Sequence, residues 1–153
     1  MDILNSGRAL LLVVLANSAP WAAGRALGGR WAAPLDFRYV LRDGERLFGS
    51  HKTWRGVLAG VLACALAARL SGVAWTIGAG FGAAALLGDA ASSAIKRRLK
   101  LQPGTEVPGL DQIPEALLPS VIFAPLLGLG VIDVAAVVAG FFLLDVLVAQ
   151  LRH

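Results

Sequence analysis

The chain has 153 residues, of which 57% are hydrophobic and 16% are charged, and it carries a formal net charge of +4. Charged residues make up about a quarter of an ordinary soluble domain, and a soluble domain of this length needs a polar surface that covers its core. The composition therefore argues against a soluble enzyme and against a disordered chain, and it indicates an integral membrane protein with several spans.

Five uncharged stretches predict the membrane-spanning helices: 9–24, 56–68, 70–88, 116–132 and 134–144. A span needs about 17–25 mainly apolar residues, so 70–88 qualifies alone and the others need their flanks. Arg69 can snorkel to an interface and lengthen the second span. We expect an all-α, polytopic helical bundle that forms a single membrane domain over 1–153. Its helices are predicted at about 8–26, 56–71, 73–97, 116–129 and 131–151, with polar loops at about 27–55 and 98–115.

The first 24 residues have one alternative interpretation, a cleavable signal peptide. The residues before the apolar run lack a positive bias, because they contain both Asp2 and Arg8. Asn17 and Pro20 also interrupt the run. We therefore expect a retained helix.

Twelve of the 14 basic residues fall on one side of this predicted bundle. The positive-inside rule places that side, which holds both loops and the C-terminus, in the cytoplasm. Only Arg8 and Arg69 remain for the outer side, together with the N-terminus. The positive charge is thus a signal of topology and does not indicate nucleic-acid binding. The twelve residues are Arg25, Arg30, Arg38, Arg42, Arg46, Lys52, Arg55, Lys96, Arg97, Arg98, Lys100 and Arg152.

The first polar loop ends in residues that suit a phosphate group. Lys52, Thr53 and Arg55 follow one another closely there, and ammonium, hydroxyl and guanidinium groups all donate hydrogen bonds to phosphate oxygens. Composition alone leaves a second interpretation open, in which this is a positively charged cytoplasmic loop with interfacial tryptophans.

The third predicted helix carries polar residues on one face at its cytoplasmic end. Ser92 and Ser93 lie three and four positions after Asp89, and Lys96 lies seven positions after it. These spacings put Asp89, one of the serines and Lys96 on one side of a helix. The distance from Asp89 to Lys96 is about 10 Å along the axis. A carboxylate that follows 19 uncharged residues is a functional candidate by default. The alternative is a structural pair between Asp89 and a loop arginine, with 96–98 as a stop-transfer cluster.

The second loop is rich in proline and glycine between 103 and 114, and this composition argues against a regular helix there. Asp111 and Glu115 offer the oxygen ligands that Mg²⁺ takes, usually one or two carboxylates together with substrate phosphates. The alternative is a solvated loop that ends in a carboxylate at a helix N-terminus.

Several strings of residues, separated by the predicted helices, form a specific pattern. It consists of Pro34-Leu35-Asp36-Phe37, Asp43-Gly44, Arg46-Leu47-Phe48-Gly49, Lys52-Thr53-Trp54-Arg55-Gly56, Gly88-Asp89, Ser93, Ile95-Lys96-Arg97-Arg98 and Asp111-Gln112. With Asn17 and Pro20, this pattern covers nearly the whole chain and resembles the CDP-archaeol synthase family. That family is a small branch of the phosphatidate cytidylyltransferase superfamily.

The resemblance implies an integral membrane enzyme with about five transmembrane helices and a cytoplasmic site. Its activity would be Mg²⁺-dependent transfer of CMP from CTP to a lipid phosphate, such as archaetidic or phosphatidic acid. It also implies a homodimer. The implied catalytic residues are Asp89, Lys96 and Asp111, and the implied metal ligands are Asp89 and Asp111, with Glu115 as a further candidate. The implied nucleotide and phosphate contacts are Lys52, Arg55, Ser93, Lys96 and Arg97, and the residue pattern described above adds Thr53 and Ser92. The other motif residues are Asn17, Asp36, Asp43, Arg46 and Gln112.

The sequence departs from the family pattern after Asp111-Gln112. Family members usually continue Leu-Asp-Phe, whereas this chain has Ile113-Pro114-Glu115, so the second aspartate is missing. A catalytically inactive scaffold or lipid-binding subunit therefore stands as the alternative function. A transporter ranks last, because the second and third helices are rich in Ala, Gly and Leu at their centres.

Overall fold

The computed structural model describes residues 2–105 and 107–151. Five α-helices follow one another: α1 (Ile3–Leu27), α2 (Trp54–Leu70), α3 (Trp75–Arg98), α4 (Gln112–Leu127) and α5 (Val131–Leu151). The all-α prediction is confirmed, since the described residues contain no strand beyond two isolated bridges, Pro34 with Thr53 and Val40 with Arg46. Arg152, which the charge pattern assigns to the cytoplasmic side, lies outside the described residues.

Local capping explains why α1 and α2 begin earlier than the uncharged stretches suggest. Asp2 accepts a hydrogen bond from the backbone N–H of Asn5 at 3.1 Å and begins α1. Thr53 accepts one from the backbone N–H of Gly56 at 3.3 Å and begins α2. Such side chains satisfy N–H groups that have no partner inside the helix.

The start of α4 corrects the expectation that proline and glycine keep the whole segment up to 115 non-helical. Residues 112–115 form the first turn of α4, with Pro114 inside it. Proline is tolerated there because the N–H groups of a first turn have no helical partner to lose. Glu115 is therefore held on a helix and not on a loop.

Two of the helices, Ile3–Leu27 and Val131–Gln150, are long and apolar enough to cross a membrane by length and composition alone. The total number of spans stays a prediction. The outward face of α2 nevertheless presents large leucines at every fourth position, Leu58, Leu62 and Leu66, which are 58–61% exposed. An apolar surface of this kind fits contact with lipid.

Two glycines of α3, Gly78 and Gly82, bring α2 and α3 into close contact. A Cβ atom at Gly78 would lie 2.4 Å from the carbonyl oxygen of Cys64, and one at Gly82 would lie 2.9 Å from the Cβ of Cys64. Small residues at a helix interface allow this approach. The close contact fixes α3, and with it Asp89 and Lys96, relative to the first loop.

Candidate active site

A cavity of about 650 Å³ opens at the end of the bundle where the two polar loops lie. Its walls come from α1, the end of the first loop, α2 and α3. Four residues that the sequence selects for phosphate or metal binding, Lys52, Thr53, Arg55 and Asp89, line it together with the motif residue Asn17. The other lining residues include Pro20, Trp21, Arg25, Ser50, His51 and Leu86.

An ion pair between Lys52 and Asp89 forms one wall of this cavity. Each side chain keeps about a quarter of its surface exposed, 25% for Lys52 and 29% for Asp89. The sequence offered a loop arginine as the structural partner of Asp89, and the structure places a loop lysine there instead. Because Lys52 directly precedes the Thr53 cap of α2, the start of that helix positions the ammonium group over α3.

A second ion pair joins Lys96 to Asp111, with Nζ and Oδ1 2.6 Å apart. The Lys96 ammonium also donates to the carbonyl oxygen of Thr105 at 3.0 Å. The other carboxylate oxygen of Asp111 accepts from the backbone N–H of Val107 at 2.9 Å. The second loop is therefore folded around this pair, and both side chains are mostly buried, at 12% and 20% exposed.

Glu115 is a buried carboxylate that interacts electrostatically with residues of both ion pairs. It is 4% exposed, its Oε1 has no hydrogen-bond partner within the described residues, and its charge interacts with those of Asp89, Lys52, Asp145 and Asp111. Gly88 makes this position possible, because a Cβ there would lie 2.3 Å from the carbonyl oxygen of Pro114.

The two serines that the sequence groups with Asp89 point into the bundle. Ser92 is fully buried, and its hydroxyl donates to the carbonyl oxygen of Gly88 at 3.0 Å. Ser93 is 6% exposed. Neither serine belongs to the lining of the cavity, so the structure does not bring them together with Lys52, and their contact with a nucleotide stays a prediction.

Two arginines that the sequence assigns to phosphate binding hold the loops. Arg55 donates from Nη1 to the carbonyl oxygens of Gly28, at 2.6 Å, and of Arg30. Arg97 is 3% exposed and donates to the carbonyl oxygen of Gln102 at 2.8 Å. Both guanidinium groups thus fix backbone close to the site, and their contact with phosphate stays a prediction.

The motif residues of the first loop build its internal framework. The Asp36 side chain is fully buried and pairs with Arg46, and it accepts from the backbone N–H groups of Arg38 and Phe48 at 3.0 and 3.3 Å. Burial opposes ionisation of Asp36, but these hydrogen bonds outweigh burial and lower its pKa. Asp43 pairs with Arg98 at 2.9 Å and ties the loop to the end of α3.

Asp145 on α5 makes a contact that no motif in the sequence indicates. Gln112 donates from Nε2 to Oδ2 of Asp145 at 2.7 Å, which links α4 to α5. The only signal in the sequence is a carboxylate inside an otherwise apolar helix. That signal does not identify a partner 33 residues away.

The donor atoms fit an oxygen-bound divalent cation. No group of three or more His, Cys, Asp or Glu side chains that could hold a metal by themselves occurs in 2–105 and 107–151. Mg²⁺ usually takes one or two carboxylates and completes its shell with water and substrate phosphates. Asp89, Asp111 and the unpaired Oε1 of Glu115 are oxygen donors of that class. Lys52 and Asp89 line the cavity, whereas Lys96, Asp111 and Glu115 are not among its lining residues, so the combination of all five in one site for a polyphosphate and a metal ion stays a prediction.

A family model described as CarS-like, CDP-archaeol synthase, matches residues 3–80 and 71–152. Among curated relatives, the CDP-archaeol synthase of Methanopyrus kandleri is 40% identical over 116 residues, and that of Pyrococcus furiosus is 38% identical over 113 residues. These alignments cover 72% and 67% of this chain and 65% and 64% of the relatives, so the chain spans slightly less than two thirds of their length.

A solved structure of an intramembrane enzyme for the biosynthesis of archaeal membrane lipids has the same fold. The superposition has a TM-score of 0.80 and 33% sequence identity, and it covers 97% of this chain and 95% of the other. The resemblance that the sequence motifs carry is thus confirmed over nearly the full chain.

Proposed function

The chain belongs to the CDP-archaeol synthase family, and from that premise we propose that it is a membrane-embedded cytidylyltransferase. It transfers CMP from CTP to a lipid phosphate and releases pyrophosphate. The observation that carries this proposal is the polar cavity at the loop end of the bundle, where Lys52 pairs with Asp89. A site at a membrane edge lets a soluble nucleotide meet a headgroup whose tails stay among apolar helices.

The proposed reaction is a displacement at phosphorus. An oxygen of the lipid phosphate attacks the α-phosphorus of CTP, and the bond between that phosphorus and the bridging oxygen to the β-phosphorus breaks. The protein has little covalent chemistry to perform, because positioning and charge neutralisation supply most of the catalysis of such transfers. The products are a CDP-lipid and pyrophosphate.

The two lysines are the groups that neutralise charge in this proposal. Lys52 and Lys96 each contact a carboxylate, and phosphate oxygens that enter the site compete for the same ammonium protons. Lys52 and Lys96 then stabilise the developing negative charge of the leaving pyrophosphate. Exchange of partners also frees oxygens of Asp89 and Asp111 for a cation.

The residues that would hold Mg²⁺ are Asp89 and Asp111, with Glu115 as the additional oxygen donor. Bound there, the ion supplies further neutralisation of the triphosphate. The buried position of Glu115, with its unpaired Oε1, supports its use in place of the aspartate that the family pattern has one residue earlier.

The acceptor is a glycerol phosphate with isoprenoid ether chains, in line with the names of the relatives, and phosphatidic acid shares its headgroup chemistry. The charge distribution supports an orientation with the N-terminus outside and the site facing the cytoplasm. A homodimer stays a prediction from the family resemblance.

Turnover by the purified protein tests this proposal. The protein in detergent is incubated with labelled CTP, Mg²⁺ and either lipid phosphate, and CDP-lipid is resolved by chromatography. Lys96→Ala and Asp111→Asn are expected to abolish turnover with the fold intact, whereas Arg69→Ala, which removes a cation at the opposite end of α2, is expected to retain it. Absence of CDP-lipid from every acceptor, with absence of CTP binding, overturns the proposal in favour of a scaffold.

A further inference from the structure

The side chain of Asp145 connects the last helix to the second loop. It lies on α5 after an uncharged run from 134 to 144, and a carboxylate within such a helix is costly unless it has a partner. The partner is Gln112, which is 5% exposed and donates from Nε2 to Oδ2 of Asp145 at 2.7 Å. Nothing in the proposed reaction uses this pair directly.

The second hydrogen bond of Gln112 points into the second loop. Its Oε1 accepts from the backbone N–H of Gly109 at 2.7 Å. A side-chain amide has a donor end and an acceptor end, so an acceptor at Asp145 fixes which end faces Gly109. If Asp145 offers no acceptor, the amide loses the contact that sets its orientation.

The turn that Gln112 holds is the turn that carries Asp111. Gly109 has a φ of +86°, a conformation that glycine adopts without strain. The backbone N–H of Asp111 donates to the carbonyl oxygen of Val107 at 3.2 Å, and its carboxylate accepts from the N–H of Val107 at 2.9 Å. The same carboxylate meets Lys96 at 2.6 Å.

We propose that Asp145 is a positioning residue for the candidate site. It orients Gln112, and Gln112 holds the turn at 107–111 that presents Asp111 to Lys96. The proposal rests on the proposed function only in that Asp111 and Lys96 serve catalysis. The ordering of the second loop by α5, through the side-chain amide of Gln112, does not depend on that function.

The variants are chosen to remove or exchange the donor and the acceptor of the hydrogen bond between Gln112 and Asp145. Asn at position 145 keeps a carbonyl oxygen that accepts from Gln112, whereas Leu cannot accept a hydrogen bond. Gln112→Glu places two carboxylates against each other and breaks the pair. Adding Asp145→Asn to Gln112→Glu restores it with the donor and acceptor exchanged, because the new amide donates to Glu and Glu still accepts from Gly109.

Two readouts separate this proposal from the function on which it rests. Hydrogen–deuterium exchange of residues 103–111 in detergent measures order in the loop without any substrate, and steady-state kinetics measure kcat and KM for CTP. Asp145→Leu and Gln112→Glu should each speed exchange in the loop and lower kcat/KM by about 10- to 100-fold, the usual effect of losing a hydrogen bond to a charged group. Asp145→Asn and the double variant should remain within about threefold of the unmodified protein.

The measurements distinguish failure of the role proposed for Asp145 from failure of the proposed function. Two outcomes overturn the proposal: equal losses of kcat/KM in Asp145→Asn and Asp145→Leu, or no recovery of kcat/KM in the double variant. Either outcome would mean that activity requires the charge of Asp145 and not its hydrogen bond. Unchanged loop exchange in both disruptive variants overturns it as well. If Asp145→Leu does not fold, Gln112→Glu and the double variant still decide the question. If the unmodified protein makes no CDP-lipid, the proposed function fails, and loop exchange alone tests the role of Asp145.

Discussion

One methyl group at Gly88 should separate α3 from α4 and disable the site. A Cβ at this position would lie 2.3 Å from the carbonyl oxygen of Pro114, 2.6 Å from its carbonyl carbon and 2.9 Å from Cα of Glu115. Ordinary contacts begin at 3.4 Å, so the two helices must move apart by about 1 Å. The atoms that clash belong to the backbone and cannot rotate away.

The size of the effect follows from that displacement. Overpacking of this kind lowers the free energy of unfolding by about 1–3 kcal/mol, and the better helix propensity of alanine offsets about 0.5–1 kcal/mol. Asp89 directly follows Gly88 and Glu115 lies at the clash, so the shift alters the carboxylate geometry. Misplacement of reacting groups by about 1 Å costs about 100-fold in rate. We expect Gly88→Ala to lower kcat/KM by about that factor.

Gly78→Ala is the matched control. It introduces a comparable clash on the same helix, 2.4 Å from the carbonyl oxygen of Cys64, but about 15 Å further along the axis. Thermal unfolding in detergent should show similar destabilisation of both variants. Activity per folded molecule should fall only in Gly88→Ala. Equal losses of activity per folded molecule, or full activity in Gly88→Ala, would refute the argument that the α3–α4 contact sets the site.

Three further predictions concern the polar groups. Lys52→Met should lower kcat/KM for CTP by about 100-fold. The unfolding midpoint should change little, because the ion pair keeps contact with solvent and pairs at a surface contribute about 0–1 kcal/mol; a large loss of stability with normal kinetics would contradict this. Arg46→Leu should make 28–53 sensitive to limited proteolysis and should lower the free energy of unfolding by about 3 kcal/mol, because it leaves the buried Asp36 carboxylate without its partner; an unchanged cleavage pattern would contradict this. The lowered pKa of Asp36 adds stability that is fully present above its ordinary value of 3.8 and is lost as pH falls through the lower folded value. Unfolding followed by fluorescence should therefore show an acid-induced loss of stability in the unmodified protein that is reduced in Asp36→Asn.

The helices and the chemistry-bearing segments could be predicted because they depend on local composition. Uncharged runs determine where a chain can enter an apolar environment, and most of the charged residues between them lie in the two loops or near helix ends. The pattern at Asp89 and Lys96 was readable because the geometry of an α-helix fixes the spacing of side chains on one face. The order of the motifs along the chain carried the family resemblance, and composition alone does not contain that order.

The partners of individual side chains could not be predicted, because tertiary packing decides them. The sequence offered an arginine as the partner of Asp89, and the structure shows Lys52, which the Thr53 cap brings over α3. Pro114 suggested a loop up to Glu115, yet a first helical turn accepts proline. The contact of Asp145 with Gln112 depends on how α5 packs against α4, and no local pattern encodes that arrangement.

The fate of each phosphate of CTP shows whether this protein transfers CMP to a lipid. The purified protein is incubated with Mg²⁺ and archaetidic acid, in parallel with CTP labelled at the α-phosphate and with CTP labelled at the γ-phosphate. If the protein transfers CMP, only the α label enters the lipid, in a product of the mass of a CDP-lipid, and the γ label is recovered as pyrophosphate in equal amount. Label from the γ-phosphate in the lipid, or no labelled lipid with either nucleotide, would contradict it.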